Sequence, residues 1–286
     1  MRILNVAGRL TIDVDGERGV DVETASRGRF GSDPQAIYES WDEFRDWASG
    51  DWSAADTVDV DGDALGAPAP QPRQVFAIGL NYREHAIEAG LELPQAPMVF
   101  TKFPSSVTGP RGVIDLPEGS VDYEVELVAV VGRTAAGVRA EEAWAHLAGI
   151  TVGQDLSERE LQGAGPAPQQ FNMGKSFAGF APIGPALVTP DEFEDPDDIE
   201  ISCSLNGVLV QKTRTSDMIF SLPEIVEFLS SVVTLYPGDL IFTGTPSGIG
   251  WARKPKLLIS PDDDLVTAAD LVGEMHHTFR RARNHG

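Results

Sequence analysis

Two acidic side chains, Glu124 and Glu126, stand in the run Val121-Asp122-Tyr123-Glu124-Val125-Glu126-Leu127-Val128-Ala129-Val130-Val131. At strand spacing, Val121, Tyr123, Val125, Leu127, Ala129 and Val131 share one face, and Asp122, Glu124 and Glu126 share the other with Val128 and Val130. A strand apolar on one side, and apolar further along the other, enters a core, where carboxylates are costly unless positive charge compensates them. A bound cation would do so; a strand end that surfaces, with both carboxylates hydrated, is the other reading of the same run. A third acidic position, Asp155, ends the apolar stretch Thr151-Val152-Gly153-Gln154-Asp155. Three carboxylates without a nearby His or Cys form an all-oxygen ligand set, which favours Mg²⁺, Mn²⁺ or Ca²⁺ over zinc.

A second constellation follows an apolar strand and Gly79, in Asn81-Tyr82-Arg83-Glu84-His85-Ala86-Ile87-Glu88. If this segment is helical, its i, i+3 spacing puts His85 and Glu88 on one face. A carboxylate that orients an imidazole and raises its basicity makes a general base able to activate water near neutral pH. A plain surface helix fits the same spacing. His146, His276, His277 and His285 are expected in a helix or in a polar C-terminal tail and carry no assigned role.

Other chemistries are excluded. Gly244-Thr245-Pro246-Ser247-Gly248-Ile249-Gly250 has no following Lys and no helix behind it, so it is no phosphate-cradling loop; nor does it fit G-x-S-x-G. No G-x-G-x-x-G follows a strand. Cys203, the single cysteine, shares an apolar strand face with Ile201 and Leu205 before the hairpin turn Asn206-Gly207, which marks it as packed, not nucleophilic.

The elements that must position these groups are mostly strands. Short apolar runs alternate with turn chemistry, as in Val75-Phe76-Ala77-Ile78-Gly79, Met98-Val99-Phe100 and Tyr236-Pro237-Gly238-Asp239. Helices are expected at Ser40-Trp41-Asp42-Glu43, read as a capping box with Trp41, Phe44 and Ala48 on one face; over Glu141 to Leu147; and behind a second box, Ser221 to Glu224, with Leu222, Ile225, Val226 and Leu229 as its stripe. Alternating prolines in Ala67-Pro68-Ala69-Pro70-Gln71-Pro72 predict a stiff connector. The organisation is thus a small N-terminal α/β subdomain (1–66), a connector (67–72) and a catalytic domain (73–286). The expected fold class is α+β and β-rich, a roll or sandwich with peripheral helices.

The chain of 286 residues carries 44 acidic against 22 basic side chains, net -22, which argues against nucleic acid and anionic membrane surfaces as partners. No apolar stretch approaches the roughly 20 residues that cross a bilayer, and the N-terminus lacks a secretory signal's apolar core, so a cytoplasmic location is expected.

Taken in order, several blocks resemble the fumarylacetoacetate hydrolase family, in its small bacterial branch of acylpyruvases, oxaloacetate decarboxylases and 2-hydroxyhepta-2,4-diene-1,7-dioate isomerases. They are Ala77-Ile78-Gly79-Leu80-Asn81-Tyr82 with His85, Asp122-Tyr123-Glu124-Val125-Glu126-Leu127, Asp155-Leu156-Ser157 with Arg159 and Gln162, Gly174-Lys175-Ser176-Phe177, Pro237-Gly238-Asp239 and Thr243-Gly244-Thr245-Pro246. The resemblance covers roughly residues 73 to 275. It implies a mixed β-sandwich roll, a homodimer, and Glu124, Glu126 and Asp155 as ligands of a divalent metal. It further implies His85 and Glu88 as a water-activating pair on a lid, and Lys175 facing developing negative charge. Arg159, Gln162 and Thr245 match positions that line the substrate site.

On that basis the expected activity is hydrolysis of a carbon–carbon bond in a small β-diketo or 2-oxo acid, whose paired oxygens suit a Lewis acid that stabilises an enolate. Oxaloacetate decarboxylation or isomerisation of a dienedioate uses the same machinery without attacking water. A catalytically idle metal- or ligand-binding protein on this scaffold is the other class. The chain departs from the family pattern at Gln154, Glu158, Glu160 and Ala178, and Pro261-Asp262-Asp263-Asp264 replaces the usual Gly-Asp turn, which leaves strand pairing after residue 258 open.

Overall fold

The computed structural model describes residues 1–50, 52, 55–88, 90–166 and 170–282. Strands β1 (Arg2–Val6), β2 (Arg9–Asp13), β3 (Arg18–Asp21), β4 (Val58–Asp59) and β5 (Leu65–Gly66) precede the connector. After it come β6 (Val75–Gly79), β7 (Met98–Thr101), β8 (Val107–Thr108), β9 (Arg111–Leu116), β10 (Val121–Asp122), β11 (Val125–Val131) and β12 (Leu147–Gln154). The rest are β13 (Ser157–Glu158), β14 (Ala181–Val188), β15 (Glu200–Leu205), β16 (Val208–Arg214), β17 (Leu240–Phe242), β18 (Asp264–Ala269) and β19 (Gly273–Arg281). Helices are short: α1 (Val22–Ala25), α2 (Trp41–Ala48), α3 (Arg83–Glu88), α4 (Arg159–Gln162), α5 (Phe171–Gly174) and α6 (Leu222–Ser230).

Among the described residues, one large sheet runs β4, β3, β2, β1, β14, β12, β11, β17, β6, β7, with β5 on β1 and β8 on β14. A second runs β16, β15, β18, β19, β9, and β10 pairs with β13. The fold is therefore β-rich with peripheral helices. Strand β1 pairs antiparallel with β14, Arg2 opposite Val188, so the first residues extend the same sheet that carries β11 and β12. The proline connector is pinned to this layer by Asn5 Nδ2 donating to the Ala67 carbonyl and Tyr38 Oη donating to that of Pro68.

Strand β11 is buried along its whole length, and its faces divide as the alternation predicts. Val125 and Leu127 pack with Ile150 and Val152 against Ile201, Cys203, Leu265 and Phe279 of the second sheet. Val128 and Val130 face the opposite way, toward Leu240, Phe242 and the Trp41–Phe44 face of α2. Further along, Ala129 and Val131 meet the Leu222, Ile225, Val226 and Leu229 stripe of α6. Each of these valines, leucines and isoleucines contributes about 1.5–3 kcal/mol by leaving water.

Four expectations are corrected, and one point left open is filled. The run Val121–Val131 is two strands, because the backbone leaves the ladder at Tyr123–Glu124: the Glu124 N–H donates to Gln154 Oε1 (2.8 Å) and the Val125 N–H to Gln211 Oε1 (3.0 Å). Ser40 occupies the N-cap of α2 but its side chain makes no capping bond. The segment read as a helix over Glu141 to Leu147 is a 3-10 turn, Ala140–His146. His276 and His277 lie in β19, not in a tail, while His285 falls outside the described residues. Pairing after residue 258 is regular: Asp262 takes the left-handed turn position (φ 68°), and β18 lies between β15 and β19.

The second box is complete, with Ser221 Oγ and the Glu224 carboxylate bonding reciprocally. Replacing Ser221 by alanine is expected to cost about 1 kcal/mol in urea unfolding. Ser40→Ala, which removes no cap, should stay within about 0.5 kcal/mol of the parent. No described helix is long and apolar enough to cross a membrane.

Candidate active site and metal centre

The candidate groups gather where four neighbouring strands of the large sheet begin or end. Strands β17 and β6 run parallel, so Gly244-Thr245 and α3 both emerge from the same edge. Strand β11 runs against β17 and β12, with Val125 opposite Gln154, so Glu126 at its start and Asp155 after β12 arrive there too. Gly244 is required at this edge: its φ is +103°, and a Cβ would come within 2.7 Å of Asn81 Cβ. Its N–H donates to Glu126 Oε2 at 2.8 Å and so aims that carboxylate.

Glu124, Glu126 and Asp155 are buried, and one oxygen from each lies within 4.8 Å of the others. Positive charge already stands among them. Lys175 Nζ donates to Glu124 Oε2 (2.7 Å) and Asp155 Oδ2 (2.5 Å), and Lys102 Nζ donates to Asp155 Oδ1 (2.5 Å) and to the Lys175 carbonyl. Arg159 Nη2 donates to Glu124 Oε1 at 2.6 Å, and Nη1 to Gln162 Oε1 at 3.0 Å. Among the described residues Glu126 forms no ion pair.

These placements separate the carboxylates electrostatically. Burial works to raise the Glu124 carboxyl, but Lys175 and Arg159 outweigh it and hold the group down at about 2. Glu126 is pushed well above the usual carboxylate range by burial, then by the charges of Asp155 and Glu124. Burial lowers the Lys102 ammonium, whereas for Lys175 the attraction of Asp155 and Glu124 exceeds burial and holds it above the ordinary lysine value. Three converging carboxylates, one lacking a counter-charge and two held by ammonium groups, fit a hard divalent cation.

A cavity of about 360 Å³ opens over this floor. His85, Glu124, Glu126, Arg159, Gln162, Lys175 and Thr245 all line it, whereas Asp155 lies beneath, behind Lys175. Glu88 is not a wall residue; it stands behind His85, with Nδ1 to Oε2 at 3.5 Å. That distance is longer than a good hydrogen bond, of the kind that tightens when substrate closes a site. The Gly248 N–H donates to both Glu88 oxygens at 3.1 Å. Burial works to raise this carboxyl, but His85 and the Gly248 N–H hold it below the usual range. Thr245 Oγ1 accepts from Gln211 Nε2 at 2.9 Å. Leu91, Met98, Phe100, Phe171, Ile249 and Trp251 form apolar walls.

Sequence reasoning missed Lys102, which directly follows β7 and is completely buried; a lysine closing an apolar run was its available signal. It also gave no role to Asp122, whose i, i+2 spacing from Glu124 was on view. Cys203 is packed as expected, its thiol pushed up to about 12 by burial.

This sheet-rich fold is shared with solved enzymes. The chain superposes on a Mycobacterium smegmatis protein described as HpcE-like, with 52% identity and a TM-score of 0.93, covering 99% of this chain and 100% of that one. It also matches the 5-carboxymethyl-2-hydroxymuconate delta-isomerase of Mycobacterium smegmatis at 28% identity and a TM-score of 0.75, over 99% and 100% of the two chains. Residues 74–280 match the fumarylacetoacetate (FAA) hydrolase C-terminal family, and the chain belongs to that family. Among curated relatives, the mitochondrial oxaloacetate tautomerase FAHD2B of Bos taurus is 42% identical over 209 residues, 72% of this chain and 66% of that protein. The chain thus spans just under two thirds of that relative's length.

Proposed function

We propose that the chain is a divalent-metal-dependent hydrolase that cleaves a carbon–carbon bond in a small β-diketo or 2-oxo acid of the acylpyruvate type. The observation that carries this reading is the convergence of Glu124, Glu126 and Asp155 within 4.8 Å, with the two glutamates lining the cavity that His85 also lines. Those three side chains would hold Mg²⁺, Mn²⁺ or Ca²⁺, and the bound ion would supply Lewis acidity toward paired substrate oxygens.

The chain's own groups then have separate tasks. His85, oriented by Glu88, takes a proton from water as it adds to the distal carbonyl. The Lys175 ammonium faces the negative charge that appears as the bond breaks. Arg159, Gln162 and Thr245 orient the acid end. Because Arg159 and Lys175, the lining cations, already face carboxylates, the apolar walls suit an uncharged acyl arm better than a second carboxylate. A homodimer belongs to the same proposal, supported by the exposed Met98 and Val99 of the sheet-edge strand β7.

The test is product analysis with an alkyl acylpyruvate, oxaloacetate and a ring-cleavage dienoate, with and without a chelator. Expected is pyruvate plus a carboxylic acid from the first, lost on chelation and restored by Mn²⁺ or Mg²⁺. Interconversion of oxaloacetate tautomers without acylpyruvate cleavage would instead favour the second reading, a tautomerase or isomerase, which the 42% identity to the bovine relative supports. No turnover on any of the three would favour an idle binding protein.

A further inference from the structure

Asp122 is a fully buried carboxylate two residues from Glu124, yet it stands outside the cluster of three. Its oxygens are saturated. Oδ1 accepts the N–H groups of Tyr123 (2.9 Å) and Gly250 (2.8 Å). Oδ2 accepts the Trp251 N–H (3.0 Å) and two bonds from Arg159, Nε at 2.9 Å and Nη2 at 2.7 Å. Five donors leave no lone pair for a cation, so its function lies in what it holds.

It holds two parts of the cavity wall. One is the turn Gly250–Ala252, which presents Trp251; a Cβ on Gly250 would meet the Leu257 carbonyl at 1.9 Å and Asp122 Oδ1 at 2.7 Å, so only glycine brings this N–H to the carboxylate. The other is Arg159, whose Nη2 is shared between Asp122 and Glu124. A planar guanidinium anchored through Nε and Nη2 cannot turn to face Glu124 with its full fork. Without the anchor, Glu124 becomes the remaining carboxylate partner of Arg159, and a bidentate pair there would cover the oxygens a cation needs.

We propose that Asp122 is a positioning residue: it clamps Arg159 against the Gly250–Trp251 turn and thereby limits Arg159 to one bond on Glu124, from Nη2 to Oε1, which that carboxylate can exchange for a divalent cation. The inference rests on the reading of Glu124, Glu126 and Asp155 as a cation site.

The test is Mn²⁺ titration followed by calorimetry and by the electron paramagnetic resonance of free Mn²⁺, on wild type, D122N, R159M and the double variant. D122N should weaken Mn²⁺ binding about 10- to 100-fold, the usual effect of losing a partner that orients a ligand. In the R159M background the same change should alter affinity by about 2-fold or less, because no guanidinium is left to capture Glu124. An equal fall in both backgrounds would make Asp122 ordinary scaffold and overturn the proposal, as would an unchanged D122N. Wild type that binds no Mn²⁺ would sink the cation-site reading and this inference with it. Should D122N fail to fold, a crystal structure of Mn²⁺-loaded wild type decides: Arg159 still on Asp122 with Nη2 off Glu124 supports the clamp, and Arg159 swung away from Asp122 overturns it.

Discussion

Replacing His85 by alanine is expected to slow acylpyruvate cleavage about 10²- to 10⁴-fold, the usual contribution of a positioned base, while Mn²⁺ affinity stays within about 2-fold of wild type. The asymmetry follows from geometry. His85 lines the cavity but is not among the three clustered carboxylates, and its neighbour is Glu88 at 3.5 Å. Glu88→Gln should give a milder loss, because it leaves the imidazole in place and removes only the charge that orients it. Single-turnover rates for pyruvate release, set beside Mn²⁺ titrations of the same samples, check both variants. Unchanged cleavage by His85→Ala would remove His85 from water activation and leave the attacking water to another group.

A second large effect separates two of the carboxylates from each other. Glu126→Gln should leave the cation-free protein at least as stable as wild type, since burial and the charges of Asp155 and Glu124 already disfavour an ionised Glu126. It should nevertheless weaken Mn²⁺ binding by about 100-fold or more, beyond the loss typical of outer partners, and turnover should fall with it. Asp155→Asn should also weaken Mn²⁺ binding but should differ in its effect on stability. Asp155 answers the ammonium groups of both Lys102 and Lys175, and neutralising it strands buried positive charge, expected to cost about 3–5 kcal/mol of folding stability. Urea unfolding in the presence of chelator, paired with Mn²⁺ titration, distinguishes the two. Equal destabilisation by both variants would contradict the uneven sharing of positive charge described above.

The features that could be read from sequence were those whose signal is local. Period-two alternation marked β11 as buried on both faces, and the i, i+3 interval brought His85 beside Glu88. Asn206-Gly207 turns the β15–β16 hairpin with both residues at positive φ, 51° and 75°. Features that depend on distant partners were not readable. The break at Tyr123–Glu124 is made by glutamines 30 and 86 residues away, and Asp122 is saturated by groups up to 129 residues further on. Lys102 reaches Asp155 across 53 residues. Ser40 shows the converse limit: a correct motif was present, but its φ of -122° and ψ of 31° left the hydroxyl without the bond.

The antiparallel match of β1 with β14 ties the segment that matches the family to the residues that precede it. A fragment cut at residue 73 would strip neighbours from Ala186, Leu187 and Val188, turning an interior strand into a bare margin with unsatisfied amides beside greasy side chains. Such a margin invites adhesion between molecules, so the leading 66 residues serve as a built-in hem for the sheet whose far strands shape the cavity.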